Sequence, residues 1–160
     1  MATTALQQAE GAAQTVINTS TDIAAGDFSG APAANFVNND ATHPNAPFAR
    51  AMIEMPDWAA APVGNTVIEL WGILHNTDGT EDDTNAPSGT SQGGARFFGS
   101  WTVAATDSLQ RRTINISLEG IIGLIEIAFY IKNGTAQNMN NDAGTNCVVK
   151  ITPYTMTYVS

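Results

Sequence analysis

The sequence predicts an all-β protein: an antiparallel β-sandwich, jelly-roll-like, with about eight strands and an extended N-terminal arm. Three observations lead to this prediction. Charged residues fill only 13% of the 160 positions, too few for the Lys- and Glu-rich exposed faces of long helices. Thr fills 19 positions and Asn 14, and these residue types favour strands and turns. From residue 48 onward, apolar and polar residues alternate with a period of two, as in half-buried strands.

Six segments with this alternation are predicted as strands, namely 48–55, 66–74, 95–103, 112–118, 126–132 and 147–159. The segment 95–103 aligns Phe97, Trp101 and Val103 on one face, and Trp101 is expected in the core. In the last strand the apolar parity changes at Pro153, which favours a bulge or a crossing between sheets. Strands at this spacing, joined by turn-rich connections without helices, are typical of a jelly roll.

The N-terminal segment 1–47 is interpreted as an arm that precedes a β-sandwich domain at 48–160. It has twelve Ala and no Lys or Arg. A short helix could form over 5–14, and short strands are expected at 14–18 and 33–38. A helix of that length is marginal in water. We expect the arm to become ordered by lying on its own sandwich, on a neighbouring copy or on a partner.

The net charge of −9 excludes several classes of partner. A nucleic-acid backbone and an anionic membrane surface both require a concentrated basic patch, which this chain lacks. The longest apolar run, 121–131, has 11 residues and contains Glu126, so it is too short to span a bilayer. The first residues do not have the pattern of a signal peptide. We therefore expect a soluble protein that folds in the cytoplasm of the cell that makes it.

Little in the sequence points to catalysis, a cofactor or a metal. His43 and His75 are both expected at turns or surfaces, with no nucleophile and carboxylate arranged around them. The acidic segment 78–83 lies in the long loop 75–94 and is interpreted as solvated, with a weak cation site as the alternative. Cys147 lies in an apolar run and is expected to be a buried hydrophobe. We predict no enzyme activity, no cofactor and no metal site.

The strand 66–74 has an outer face that is unusually apolar. Trp71 shares this face with Val67, Ile73 and Glu69. An aromatic residue there could stack on a sugar or be buried at an interface, and the apolar neighbours favour an interface or a covering arm. The alternative is a carbohydrate- or receptor-binding module that recognises its ligand through the loops 75–94 and 133–146. That alternative requires exposed, coplanar aromatic rings.

Two segments near the C-terminus carry a resemblance. IEIAFYIKNGTAQ (125–137) and CVVKITPYTMTY (147–158) resemble the C-terminal half of jelly-roll structural proteins from tailed-phage virions. TVIELWGIL, followed by a polar loop with Asp-Gly, is similar to their central hairpin. This family includes capsid decoration (cement) proteins and tail or fibre components. The resemblance implies a structural role on the capsid surface, with the major capsid protein or another virion protein as the partner.

The resulting hypothesis is a homo-oligomer, with a trimer favoured, that cements a capsid through many copies of a modest contact. Its alternative is the carbohydrate- or receptor-binding module of a tail or fibre. The residues predicted to contact the partner belong to the arm and to the face of Trp71: they are Leu6, Val16, Ile17, Phe28, Phe36, Val67, Trp71 and Ile73.

Overall fold

The structure is a computed structural model that describes residues 5–38, 45–76, 86–121, 125–139 and 146–159. These residues form nine strands in two antiparallel sheets, and they contain no helix. The strands are β1 (Ala5–Glu10), β2 (Gln14–Thr19), β3 (Phe36–Val37), β4 (Phe48–Met55), β5 (Val67–Asn76), β6 (Arg96–Thr102), β7 (Gln110–Ser117), β8 (Ile125–Asn133) and β9 (Cys147–Val159). The predicted all-β sandwich is confirmed.

The strand order is that of a jelly roll. Sheet I has the order β1-β9-β4-β7, with β2 also on β9, and sheet II has the order β3-β8-β5-β6. The pairs β2–β9, β3–β8, β4–β7 and β5–β6 are nested, so the chain follows one long hairpin rolled up on itself. The additional pairs β9–β4 and β8–β5 close the roll. Among the nine strands of the described ranges, β5 and β6 alone are both consecutive in sequence and paired, so the other pairs join segments that are distant in sequence.

The core lies between the two sheets and is built from the alternate residues of each strand. In β4 the residues Ala49, Ala51, Ile53 and Met55 are fully buried, as the period of two predicts. Trp101 is also buried, and its Nε1 donates a hydrogen bond to the carbonyl oxygen of Ala51 at 3.1 Å. Because Trp101 lies on β6 in sheet II and Ala51 on β4 in sheet I, this bond links the two layers.

The described part of the segment predicted as an arm belongs to the sandwich itself. β1 and β2 follow β9 in sheet I, and β3 pairs with β8 in sheet II. The short helix that the composition allows over 5–14 does not form. Ala5–Glu10 is β1, whose backbone pairs with β9, whereas an isolated helix of this length is marginal in water. The register shifts between Thr15 and Ile17, which lets both Val16 and Ile17 enter the core.

The change of apolar parity at Pro153 corresponds to a break in the strands that pair with β9. β9 stays in sheet I over its whole length, so it does not cross between sheets. β1 ends opposite Tyr154 and β2 begins opposite Ile151. Between them, the amide of Gly11 donates to the carbonyl oxygen of Pro153 at 2.8 Å. The change of parity in the sequence therefore marks the junction of two strands that share one neighbour.

Candidate functional site

The outer face of sheet II carries a continuous apolar cluster, separate from the core. We call this cluster the aromatic face; it consists of Phe28, Trp71, Ile73, Ala95, Phe97, Ala128 and Tyr130. The pairing register explains it, because Trp71 lies between Phe97 of β6 and Tyr130 of β8, and Ile73 lies opposite Ala128. Outward residues of three adjacent strands thus meet in one patch.

A bulge in β6 brings Phe97 to this face. The register shifts between Leu70 and Trp71, so that Leu70 pairs with Gly99 and Trp71 with Phe97. Phe98 is the extra residue and packs on the core, with its ring 5.1 Å from that of Phe129. The expectation that Phe97 shares the face of Trp101 and Val103 is therefore wrong, since one added residue reverses the alternation.

Gly72 makes room for this bulge. A Cβ atom on Gly72 would lie 2.9 Å from Cε2 of Phe98 and 2.7 Å from Cγ2 of Ile127. Those distances are shorter than ordinary carbon contacts. The glycine therefore allows Phe98 to turn inward, which leaves Phe97 outside beside Trp71.

Phe28 reaches the aromatic face from the N-terminal segment. It forms an isolated bridge with Lys132 of β8, and the next residue, Ser29, donates its amide to the carbonyl oxygen of Ile131 at 2.8 Å. The amide of Phe28 donates to Gly89 at 2.8 Å, so the loop after β5 also covers this edge. Phe28 is 7% exposed. The N-terminal segment thus covers one end of the apolar cluster.

The exposed part of the aromatic face is at its other end. Phe97 is 49% exposed and Trp71 is partly exposed, whereas Ile73, Ala128 and Tyr130 are buried. The Trp71 and Phe97 rings are 5.4 Å apart at 65°, and those of Trp71 and Phe28 are 6.0 Å apart at 73°. Both are edge-to-face contacts, which hold Trp71 in place. The rings do not form a coplanar platform.

Polar groups frame this apolar patch. Nε1 of Trp71 donates to Oε2 of Glu69 at 2.9 Å, and the ammonium of Lys132 lies 5.6 Å from the centre of the Phe28 ring. Burial raises the pKa of the Tyr130 hydroxyl. The indole nitrogen is therefore satisfied within the chain, and the patch presents mainly hydrocarbon at Phe97 and Trp71.

The structure assigns different roles to the eight predicted contact residues. Val16, Ile17 and Phe36 are buried in the core between the sheets, so the folded chain does not present their side chains on its surface. Their apolar side chains serve the chain's own folding. Phe28 and Ile73 lie in the aromatic face but are almost completely buried there.

The remaining three predicted residues keep accessible surface. Trp71 is partly exposed at the centre of the aromatic face, and Val67 is partly exposed at the start of β5. Leu6 is 53% exposed on β1. Phe97 and Tyr130 were missed by sequence reasoning, although Tyr130 has the parity of Glu126 and Lys132. The repeated Phe-Phe before a glycine at 97–99 is the signal that indicates the bulge.

Trp58 is not available for stacking on a ligand. It is 4% exposed and forms an isolated bridge with Met139, and its amide donates to the carbonyl oxygen of Asp107 at 2.9 Å. A recess of about 320 Å³ lies beside it, lined also by Asp57, Asp107 and Ser108. Trp58 is buried and the ring of Trp71 is tilted against that of Phe97, so neither tryptophan offers the coplanar, exposed surface that a sugar platform requires.

The other chemical candidates are distributed over the molecule. His75 lies on β5 opposite Glu126, whereas His43 and the acidic segment 78–83 lie outside the described residues. Cys147 is buried, and burial raises its pKa to about 12, so its thiol stays protonated. Within the described ranges, no three His, Cys, Asp or Glu side chains converge on a metal-sized site.

Comparisons with family models, curated proteins and solved structures find no match to this chain. In the part of the chain that the structure describes, no helix has the length and apolar character needed to cross a membrane.

Proposed function

We propose that the protein is a structural virion protein that decorates or cements a phage capsid and binds coat-protein subunits through the aromatic face. The observation that carries the proposal is the half-exposed Phe97 beside Trp71 on the outside of a jelly roll. The jelly-roll order of the strands and the resemblance of 125–137 and 147–158 to virion proteins supply the biological context. The partner is the major capsid protein or another virion protein, and the location is the capsid surface.

The aromatic face has the features of a small binding hot spot. Trp71 is held from both sides by edge-to-face contacts, so little side-chain entropy is lost when it is covered. Aromatic residues surrounded by polar groups dominate the energy of many interfaces. Burying one such side chain contributes about 1.5–3 kcal/mol, and many copies on a shell add their contributions.

The alternative of a carbohydrate-binding module receives less support from the geometry. Sugar rings stack on flat, accessible aromatic surfaces, but the exposed aromatic pair here is tilted by 65°. Trp58, which lies just after β4, is buried. A protein surface that fits around Phe97 explains the same features with fewer requirements.

The experiment is to express Phe97→Ala in place of the native chain and to count its copies in purified phage particles by quantitative mass spectrometry. We expect many copies of the native chain per particle. For Phe97→Ala we expect the number of copies per particle to fall on the order of 10-fold. The matched control is Leu109→Ala, since Leu109 is 46% exposed and lies outside the aromatic face.

Two results would contradict the proposal. One is absence of the native chain from purified particles. The other is equal occupancy of Phe97→Ala and Leu109→Ala. Binding of the native chain to a glycan array, lost in Phe97→Ala, would favour the carbohydrate-binding alternative. Deleting residues 1–20 is unsuitable as a test because it would remove Val16 and Ile17 from the core.

A further inference from the structure

The two ends of the described chain form a ribbon that extends beyond the rest of sheet I. β1 pairs with residues 154–159 of β9, from Glu10 opposite Tyr154 to Ala5 opposite Val159. β4 covers the other side of β9 only as far as Tyr154, which lies opposite Phe48. Among the described residues, 155–159 therefore have a strand on one side only. We call β1 together with residues 154–159 the terminal ribbon.

β4 cannot continue along this ribbon because the chain before it turns away. Asn45 has a left-handed φ of 55°, and Pro47 has no amide hydrogen to give to a ladder. The carbonyl oxygen of Pro47 accepts a hydrogen bond from Leu118 at 2.8 Å, and that of Ala46 accepts one from Asn38 at 3.0 Å. The carbonyl groups of Ala46 and Pro47 are therefore already hydrogen-bonded and do not extend β4 along the ribbon.

The unpaired backbone groups of the ribbon can be assigned. The carbonyl oxygen of Pro153 accepts a hydrogen bond from Gly11, so this carbonyl points towards β1. In a strand these directions alternate, so Thr155, Thr157 and Val159 also face β1. The amide and carbonyl groups of Met156 and Tyr158 then point to the open edge. A partner strand placed there would complete their hydrogen bonds.

The described residues of the open edge lack two features that usually protect an edge from pairing. Exposed edges normally carry charges, proline or a bulge, but residues 155–159 contain no charged residue and no proline. Leu6 and Met156 are exposed large apolar residues on this ribbon, at 53% and 41%. A two-stranded ribbon alone is marginally stable in water, and three or more strands make it stable.

We propose that two copies of the chain pair edge to edge through residues 155–159, antiparallel about a two-fold axis at Thr157. The two terminal ribbons then form one four-stranded sheet. Self-pairing places Thr157 opposite Thr157, and Met156 opposite Tyr158, of the second copy. All these residues are uncharged. Although each copy has a net charge of −9, the pairing therefore places no like charges opposite each other in the contact. The open edge of β1 is less suitable, since it includes the charged Glu10.

This contact joins two copies, whereas the hypothesis from the sequence favours a trimer. It does not depend on binding to a capsid, because the contact involves only this chain. A solution measurement on the isolated protein therefore tests it separately from the proposed function. A two-fold contact of this kind also stops at the dimer, because the open β9 edge of each copy is occupied by that of the other.

The test compares two variants that place a positive or a negative charge at Thr157, on the two-fold axis. Analytical ultracentrifugation over a range of concentrations measures their oligomeric state. Thr157 is exposed, so Thr157→Lys and Thr157→Glu should both fold. Each places like charges directly opposite across the axis, and we expect the dimer dissociation constant to rise about 5-fold. An equimolar mixture of the two variants should recover dimers, because Lys and Glu then face each other.

Gln7→Lys is the matched control. Gln7 is the register partner of Thr157 on β1 and is also exposed. In the proposed dimer its two copies lie about three strand spacings apart, roughly 14 Å, where salt screens their repulsion. Its dissociation constant should therefore remain that of the native chain.

Four results would overturn the proposal. The first is a native chain that stays monomeric at concentrations on the order of 100 µM. The second is a trimer. The third is dissociation by Gln7→Lys but not by Thr157→Lys, which would assign the contact to the β1 edge. The fourth is failure of the mixed Lys and Glu variants to pair.

Discussion

The two outer faces of this sandwich differ in chemistry, although both are made of the outward residues of their strands. On sheet I, an ion pair joins Arg111 of β7 to Glu54 of the neighbouring β4, and another joins Arg50 of β4 to Glu10 of β1 across β9. Lys150 is exposed. On sheet II, aromatic and aliphatic side chains fill the corresponding positions around Trp71. One face is suited to water, and the other is partly covered by its own chain.

This difference shows what strand alternation can and cannot tell. Alternation identifies most inward residues in both sheets, with exceptions at the register shifts beside Val16 and Phe98. The outward residues then distinguish a solvated face from one that must be covered. On sheet II, Phe28 and the loop at Gly89 cover part of the apolar patch, and Phe97 stays half exposed. The uncovered remainder is the part that we assign to binding.

The largest effect expected from this comparison is on stability. Tyr130 is 7% exposed within the aromatic face, so Tyr130→Ala should lower the free energy of unfolding by about 2–3 kcal/mol. Met52 occupies an outward position on β4, and Met52→Ala should cost less than about 1 kcal/mol. Urea unfolding at 25 °C measures both. Equal losses would mean that the two faces do not differ in packing.

An effect of intermediate size is expected in the core between the two sheets, where Cys147 lies. Burial raises the pKa of the Cys147 thiol from 9.0 to about 12. The unfolded chain therefore loses this proton at a lower pH than the folded chain does. Stability due to this group is complete below pH 9 and falls as the pH rises towards 12.

The measurement is urea unfolding at pH 8 and pH 10.5 for the native chain and for Cys147→Ala. The native chain should lose on the order of 1–2 kcal/mol more between the two pH values than the variant loses. Iodoacetamide at pH 8 provides a control, since it should label Cys147 only after unfolding. Rapid labelling of the folded chain would show that water reaches this layer.

The smallest effect is expected on the polar face. The side chain of Arg111 is 65% exposed and that of Glu54 25%, so water screens their ion pair. A double-mutant cycle with Glu54→Gln and Arg111→Gln should give a coupling energy below about 0.5 kcal/mol. A coupling above about 1.5 kcal/mol would instead make the ion pairs of sheet I as important as the apolar packing of sheet II.

Much of the fold could be predicted from local pattern. The strand 48–55 has the predicted bounds, because its alternation is regular and both neighbours pair with it over most of its length. β1 could not be predicted in this way. Ala5–Glu10 has the composition of a weak helix, and it becomes a strand through pairing with residues about 150 positions later. The sequence of residues 5–10 itself does not indicate such a distant partner.

The candidate site could be predicted only in part. The apolar outer face around Trp71 and Ile73 followed from β5 alone. The position of Phe97 depends on a bulge at Phe98, which in turn needs the space beside Gly72 in another strand. Val16 and Ile17 were misplaced for the same kind of reason, since a register shift brings two consecutive residues inside.

The nested order of the strands has a consequence for biosynthesis. β1 lies against β9, and the ribosome makes these two segments about 150 residues apart. During that interval β1 has no native neighbour, and its backbone stays open to unrelated chains. Translation speed and chaperones therefore have a longer period in which to influence this protein than they have for one built from successive hairpins.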